Sequence, residues 1–68
     1  MSWHYQLRQK SYKGATWYDI VEVYESPTGW TRDGMSPAAD SPEGVIETLQ
    51  HMLKDAKSYP VLIDKEED

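Results

Sequence analysis

The stretch DSPEGVIETLQHMLKDAKSYPVLID, residues 40–64, announces a helix, punctuates both its ends and then returns to apolar residues. Ser41 is a good N-cap, because its hydroxyl can accept a backbone N–H of the first turn. Pro42 follows at the first helical position, where a missing N–H costs nothing. Asp40 and Glu43 sit near the positive end of the helix dipole, and Lys54 and Lys57 suit its negative end. Gly44 stands where a capping box would place Glu, so that box is broken. Val45, Ile46, Leu49, Met52, Leu53 and Ala56 recur at spacings of three and four and form one apolar stripe. Pro60 opposes continuation past Tyr59. The pattern predicts a helix over residues 42–58.

Such a helix needs something to pack on, and the first 32 residues supply it. From Trp3 to Tyr12 the chain alternates, with Trp3, Tyr5 and Leu7 on one face and His4, Gln6, Arg8 and Lys10 on the other. A period of two reads as a half-buried strand. Lys13-Gly14-Ala15 is a turn signal. Thr16 to Glu25 is dense in β-branched and aromatic residues and makes a second strand, so the two form a hairpin. Both faces of this second strand are partly apolar: Trp17, Val21 and Val23 share one with Asp19, while Tyr18, Ile20 and Tyr24 share the other with Glu22. A bulge that shifts the register, or cover on both faces, would each account for this. Ser26-Pro27-Thr28-Gly29 reads as a second turn, Trp30-Thr31-Arg32 as a short third strand, and residues 33–40 as loop. Val61-Leu62-Ile63 reads either as a fourth, edge strand or as an extended tail on the sheet.

The expected fold class is therefore α+β: a three-stranded antiparallel sheet in the order β-β-β-α, with or without a short closing strand, and one helix packed on one face. The chain of 68 residues is read as one domain over 1–63 with an acidic tail at 64–68. A core of this size rarely supplies more than about 3–5 kcal/mol, and there is no Cys to staple it. Packing, self-association or a partner chain must provide the rest.

Charge is unevenly placed. Residues 1–18 carry Arg8, Lys10 and Lys13 and no acid; residues 19–68 hold all 12 acids, and the chain totals −5. The chain as a whole should repel nucleic acid at long range, the basic hairpin excepted. No apolar run approaches the roughly 18 residues of a membrane span, and no charged segment leads into an apolar one at the start. A cytoplasmic protein without a membrane anchor is the expectation.

Little in the sequence points to catalysis. His4 and His51 lie on different elements without metal-ligand spacing, and each reads as a surface histidine. The four glycines are scattered, so no phosphate loop is formed. Glu43 with Glu47, and Glu22 with Glu25, read as solvated surface. No enzyme, cofactor or metal is expected. The aromatic residues are the strongest hint: eight, all Trp or Tyr, seven of them in the first 30 residues. Such rings, with an apolar body and a polar edge, suit interfaces. One helix covers one sheet face, so some rings should remain outside it. Trp3, Tyr5, Trp17, Tyr18, Tyr24 and Trp30 are the candidate contact residues of a non-enzymatic protein-binding module that self-associates, most simply as a homodimer. Two alternatives use other features. Rings beside Arg8, Lys10 and Lys13 suit weak binding of single-stranded nucleic acid. Acids including Glu43, Glu47, Asp55 and those from Asp64 onward suit an inhibitor of phage type that mimics nucleic acid toward a basic protein.

Two resemblances bear on this. The segment YDIVEVYESPTGWTRDGMSPAADSPEGVIETLQHML, with Asp40-Ser41-Pro42-Glu43 opening the helix, resembles the strand-loop-helix half of HicB-like antitoxin domains. That resemblance implies a toxin-binding, oligomerising domain, although the Pro-Gly-Cys-type turn and the DNA-binding extension are absent. The aromatic hairpin, Trp30-Thr31, Asp40 to Glu43 and Met52 to Leu62 also resemble small uncharacterised bacterial and phage proteins. This second resemblance supplies no established activity, so nothing catalytic is carried over from it.

Overall fold

In the computed structural model, residues 2–25 and 27–65 are described. Strand β1 (Trp3–Tyr12) and strand β2 (Ala15–Glu25) form a hairpin closed by Lys13 and Gly14. Both turn residues have positive φ, 48° and 83°. This is the turn geometry that matches the right-handed twist of the flanking strands, and Gly adopts it without a steric penalty. Strand β3 (Thr28–Trp30) pairs antiparallel with β2, helix α1 spans Pro42–Ser58, and strand β4 (Leu62–Lys65) pairs with β1. The sheet order is β3-β2-β1-β4.

The α+β class and the helix bounds agree with the sequence pattern. Ser41 caps the helix, its hydroxyl accepting the Gly44 N–H at 3.1 Å. Three details differ. The closing strand is present as β4, but it runs parallel to β1, so the sheet is mixed and not antiparallel throughout. The third strand begins at Thr28, so Thr28 and Gly29 are strand and not turn; Ser26, the start of the expected turn, lies outside the described residues. Asp64 and Lys65, expected in the acidic tail, belong to β4, and residues 66–68 of that tail lie outside the described residues.

The β1–β2 register is unbroken from Trp3 opposite Tyr24 to Tyr12 opposite Ala15, so no bulge shifts it. Both faces receive cover, but different cover. On the face of Tyr5, the C-terminal half of α1 leans on the start of β1. On the face of Arg8, the segment after β3 folds over Arg8 and Asp19. Gly34 lies so close to Asp19 that an added Cβ would meet its side chain at 3.0 Å. The Met35 N–H bonds the Ile20 carbonyl at 2.7 Å and holds this segment to the edge of β2.

The helix therefore does not cover the sheet as a slab would. Among the described residues, Tyr5, Val21 and Met52 are the buried apolar side chains. Only part of the apolar stripe faces inward: Met52 is buried and Val45 and Ala56 are half-buried, whereas Ile46, Leu49 and Leu53 are 54%, 48% and 57% exposed. The stripe spans an arc of roughly 120° at 3.6 residues per turn, and a single strand cannot receive all of it. The radius of gyration is 13.0 Å, against about 11 Å for a compact chain of this length.

Candidate functional site

Two clusters tie the fold together, and both are built from residues that the sequence reading had left on the surface. The first centres on Arg8, whose residue is 1% exposed. Register places Arg8 directly opposite Asp19. Its Nε donates to Asp19 Oδ1 at 2.9 Å and its Nη2 to Oδ2 at 2.6 Å, a fork-to-carboxylate pairing. Nη1 donates to the carbonyls of Thr31 at 3.2 Å and Arg32 at 3.0 Å, and lies 3.5 Å from Asp64 Oδ2. The same Asp64 oxygen accepts the Trp30 indole N–H at 3.2 Å. One guanidinium thus joins β1, β2, the segment after β3, and β4. Among the described residues, no buried side-chain polar atom lacks a partner.

The second cluster seats the helix. The Tyr5 N–H lies on the edge of β1 that β4 does not reach, since β4 begins opposite Arg8. Asp55 Oδ2 accepts that N–H at 3.0 Å and lies 3.0 Å from His51 Nε2. The His51 ring stands 5.4 Å from Trp3 and 5.0 Å from Tyr5, and Trp3 meets Tyr5 edge-on at 5.1 Å. Beyond the helix, Tyr59 stacks on His4 at 3.7 Å and the Pro60 carbonyl accepts from the Gln6 side chain at 2.8 Å. Neither histidine is merely solvated surface: each is a packing surface between the sheet and the helix or its exit.

Burial raises the pKa of the Tyr5 phenol above its ordinary 10.0, and the charges of Glu22 and Asp55 add to the effect. The Tyr24 phenol is raised as well, first by its hydrogen bond to Glu22 Oε1. A phenol raised in the folded state ionises first in the unfolded chain. Its contribution to stability is complete below pH 10 and falls as pH rises through the folded value. Urea midpoints should therefore drop as pH rises above about 10, and Tyr5→Phe should remove part of that drop. An unchanged drop in the Phe variant would assign it elsewhere.

The six candidate contact residues do not converge. Trp3 and Tyr5 touch, and Tyr24 is the register partner of Trp3 on the same face. Tyr5 is buried, so it supports this group and does not present itself to a partner. Trp17 and Tyr18 are exposed at the far end of the hairpin and, as neighbours on a strand, point to opposite faces. The Tyr18 hydroxyl donates to Gln9 at 3.1 Å. Trp30 pairs opposite Val23, some six residues or about 20 Å along β2 from Trp17. The rings form separate outposts on both faces, not one aromatic plate.

Charged residues named for other roles are also relocated. Arg8, one of the basic trio of the hairpin, is enclosed by its carboxylate and carbonyl partners. Asp55 is buried and Asp64 half-buried, both in intramolecular bonds, which leaves Glu43 and Glu47 from the acidic set among the described residues; its members at 66–68 lie outside them. Among the described residues, no group of three His, Cys, Asp or Glu is placed to hold a metal ion, and no helix is long and apolar enough to cross a membrane.

Comparison with protein-family models, curated proteins and solved structures finds no match. The reading of function consequently rests on the surface itself.

Signals for part of this arrangement were in the sequence. The turn signal at Lys13-Gly14-Ala15 marks the hairpin, and the two-residue loop the structure forms there sets the register that pairs Arg8 with Asp19. His51 and Asp55 are four apart, hence neighbours on a helix. The pairing of Asp55 with a backbone N–H of β1, 50 residues away, had no such signal.

Proposed function

We propose that this chain is a non-enzymatic protein-binding module that self-associates, with the exposed rings of its sheet among the contacts. The observation that carries this reading is the smallness of the core: three buried apolar side chains among the described residues. A core of that size is poor support for a lone domain. The accessible surface is 5057 Å², whereas a compact monomer of 7.9 kDa exposes about 4,400 Å². The excess, roughly 650 Å², approaches the ~800 Å² that each partner covers in an ordinary interface. Trp3, Trp17, Tyr18 and Trp30 lie among the apolar residues that make up this exposed surface. The two charged clusters favour a binding role over catalysis, since intramolecular bonds occupy their polar atoms.

Sedimentation velocity across micromolar to near-millimolar concentrations tests the reading. The sedimentation coefficient should rise with concentration toward that of a larger assembly, and tryptophan emission should shift to the blue as rings leave water. A strict monomer over the whole range would overturn it.

A further inference from the structure

Resting on the self-association proposed above, we propose that, in addition to the ring contacts of the sheet, two copies pair through α1, antiparallel and two-fold, along the stripe Ile46-Leu49-Leu53. These three side chains recur at spacings of three and four, so they line one edge of the helix. Each is about half exposed, on the side turned away from the Met52 and Asp55 contacts with the sheet. Three aliphatic side chains in a row lose contact with water when a second apolar stripe lies on them, and this is the driving force for the pairing.

Charge selects the second copy as the occupant. The exposed surface of the helix is segregated: Glu43 and Glu47 stand in its first half, Lys54 and Lys57 in its second. Glu43 and Glu47 repel each other at i, i+4, and among the described residues none of the four side chains has an ion-pair partner. An antiparallel copy meets this pattern with its reverse. With Ile46 set against the partner's Leu53, Leu49 approaches its own counterpart near the two-fold axis. Glu43 then comes level with the partner's Lys57, and the symmetry repeats both contacts at the other end. A parallel copy would place like charges together. The helix dipole accounts for acids at the start and lysines at the end, but not for three exposed aliphatic side chains between them. Antiparallel helices in coiled coils choose their orientation by the same flanking charges.

Leu49→Glu puts a charge at the axis, on a side chain that is already 48% exposed. It should weaken self-association at least tenfold by sedimentation while the circular dichroism spectrum is retained. Glu43→Lys or Lys57→Glu alone should weaken it a few-fold at low salt, and the double reversal Glu43→Lys/Lys57→Glu should restore it. An equimolar mixture of the two single variants should form hetero-assemblies in preference to either alone, because both end contacts then pair opposite charges. If the unmodified chain associates and Leu49→Glu associates equally well, the helix interface is overturned while the proposed function stands. If charge reversals act but the double reversal and the mixture fail to recover, the antiparallel arrangement is overturned. A strict monomer would overturn both.

Discussion

Arg8→Met should cost about 3 kcal/mol or more, enough to unfold a large fraction of a domain of this size. The methionine keeps the apolar stem and removes the guanidinium. Two carboxylates, Asp19 and Asp64, would then face each other's charge without compensation, and the Thr31 and Arg32 carbonyls would lose their donor. Asp19 and Asp64 are about a fifth exposed, so water can enter and moderate the penalty without removing it. Urea unfolding followed by circular dichroism measures the effect. Because Arg8 also holds β4 through Asp64, hydrogen exchange in β4 and in residues 31–35 should accelerate even under conditions where the hairpin persists. A loss below about 1 kcal/mol would show that the network is dispensable and that the three apolar core residues carry the fold. Arg8→Lys should recover little, since an ammonium cannot reproduce the fork that spans both Asp19 oxygens and the carbonyls beyond.

Asp55→Ala should cost about 2 kcal/mol by a different route. It leaves the Tyr5 N–H without an acceptor at a point where no strand can replace the lost bond, and an unsatisfied buried donor costs about 1–3 kcal/mol. It also removes the partner of His51, whose ring would be held only by Trp3 and Tyr5. The helix should then detach in preference to the hairpin. Near-ultraviolet dichroism, which reports the packing of Trp3 and Tyr5, should fall before the far-ultraviolet strand signal. Asp55→Asn keeps an acceptor for the N–H and should cost about half as much. Equal losses for Ala and Asn would place the effect on the carboxylate charge and not on the hydrogen bond.

These two positions show where sequence reading stops. Both residues look like ordinary polar surface in the linear chain: Arg8 on the hydrophilic side of an alternating strand, Asp55 between lysines on a helix. Their importance comes from neighbours brought in by other elements. The segment after β3 closes over the hydrophilic side of β1 and encloses Arg8, and a guanidinium can be enclosed only with full hydrogen bonding.

The ring residues make the complementary case. Their number and their presence on both faces of β2 were legible, and so was the inference that one helix could not cover them all. Their grouping was not. Trp17 and Trp30 share a face, but about 20 Å of β2 separates their positions, a distance set by the register of a three-residue β3 that only pairing defines.

What the sequence determined by itself was local: the caps and span of the helix, the hairpin and the position of its turn, and the α+β class. Each depends on side chains within a few residues of one another, where backbone geometry leaves few choices. The tertiary structure alone decided that β4 joins β1 in parallel, that Asp55 completes a backbone bond at the strand's open edge, and that the helix sits beside β1 with half its apolar stripe outside. Those outcomes turn on which distant groups satisfy which polar atoms and how much apolar area the elements can share, and neither quantity exists until the chain has closed.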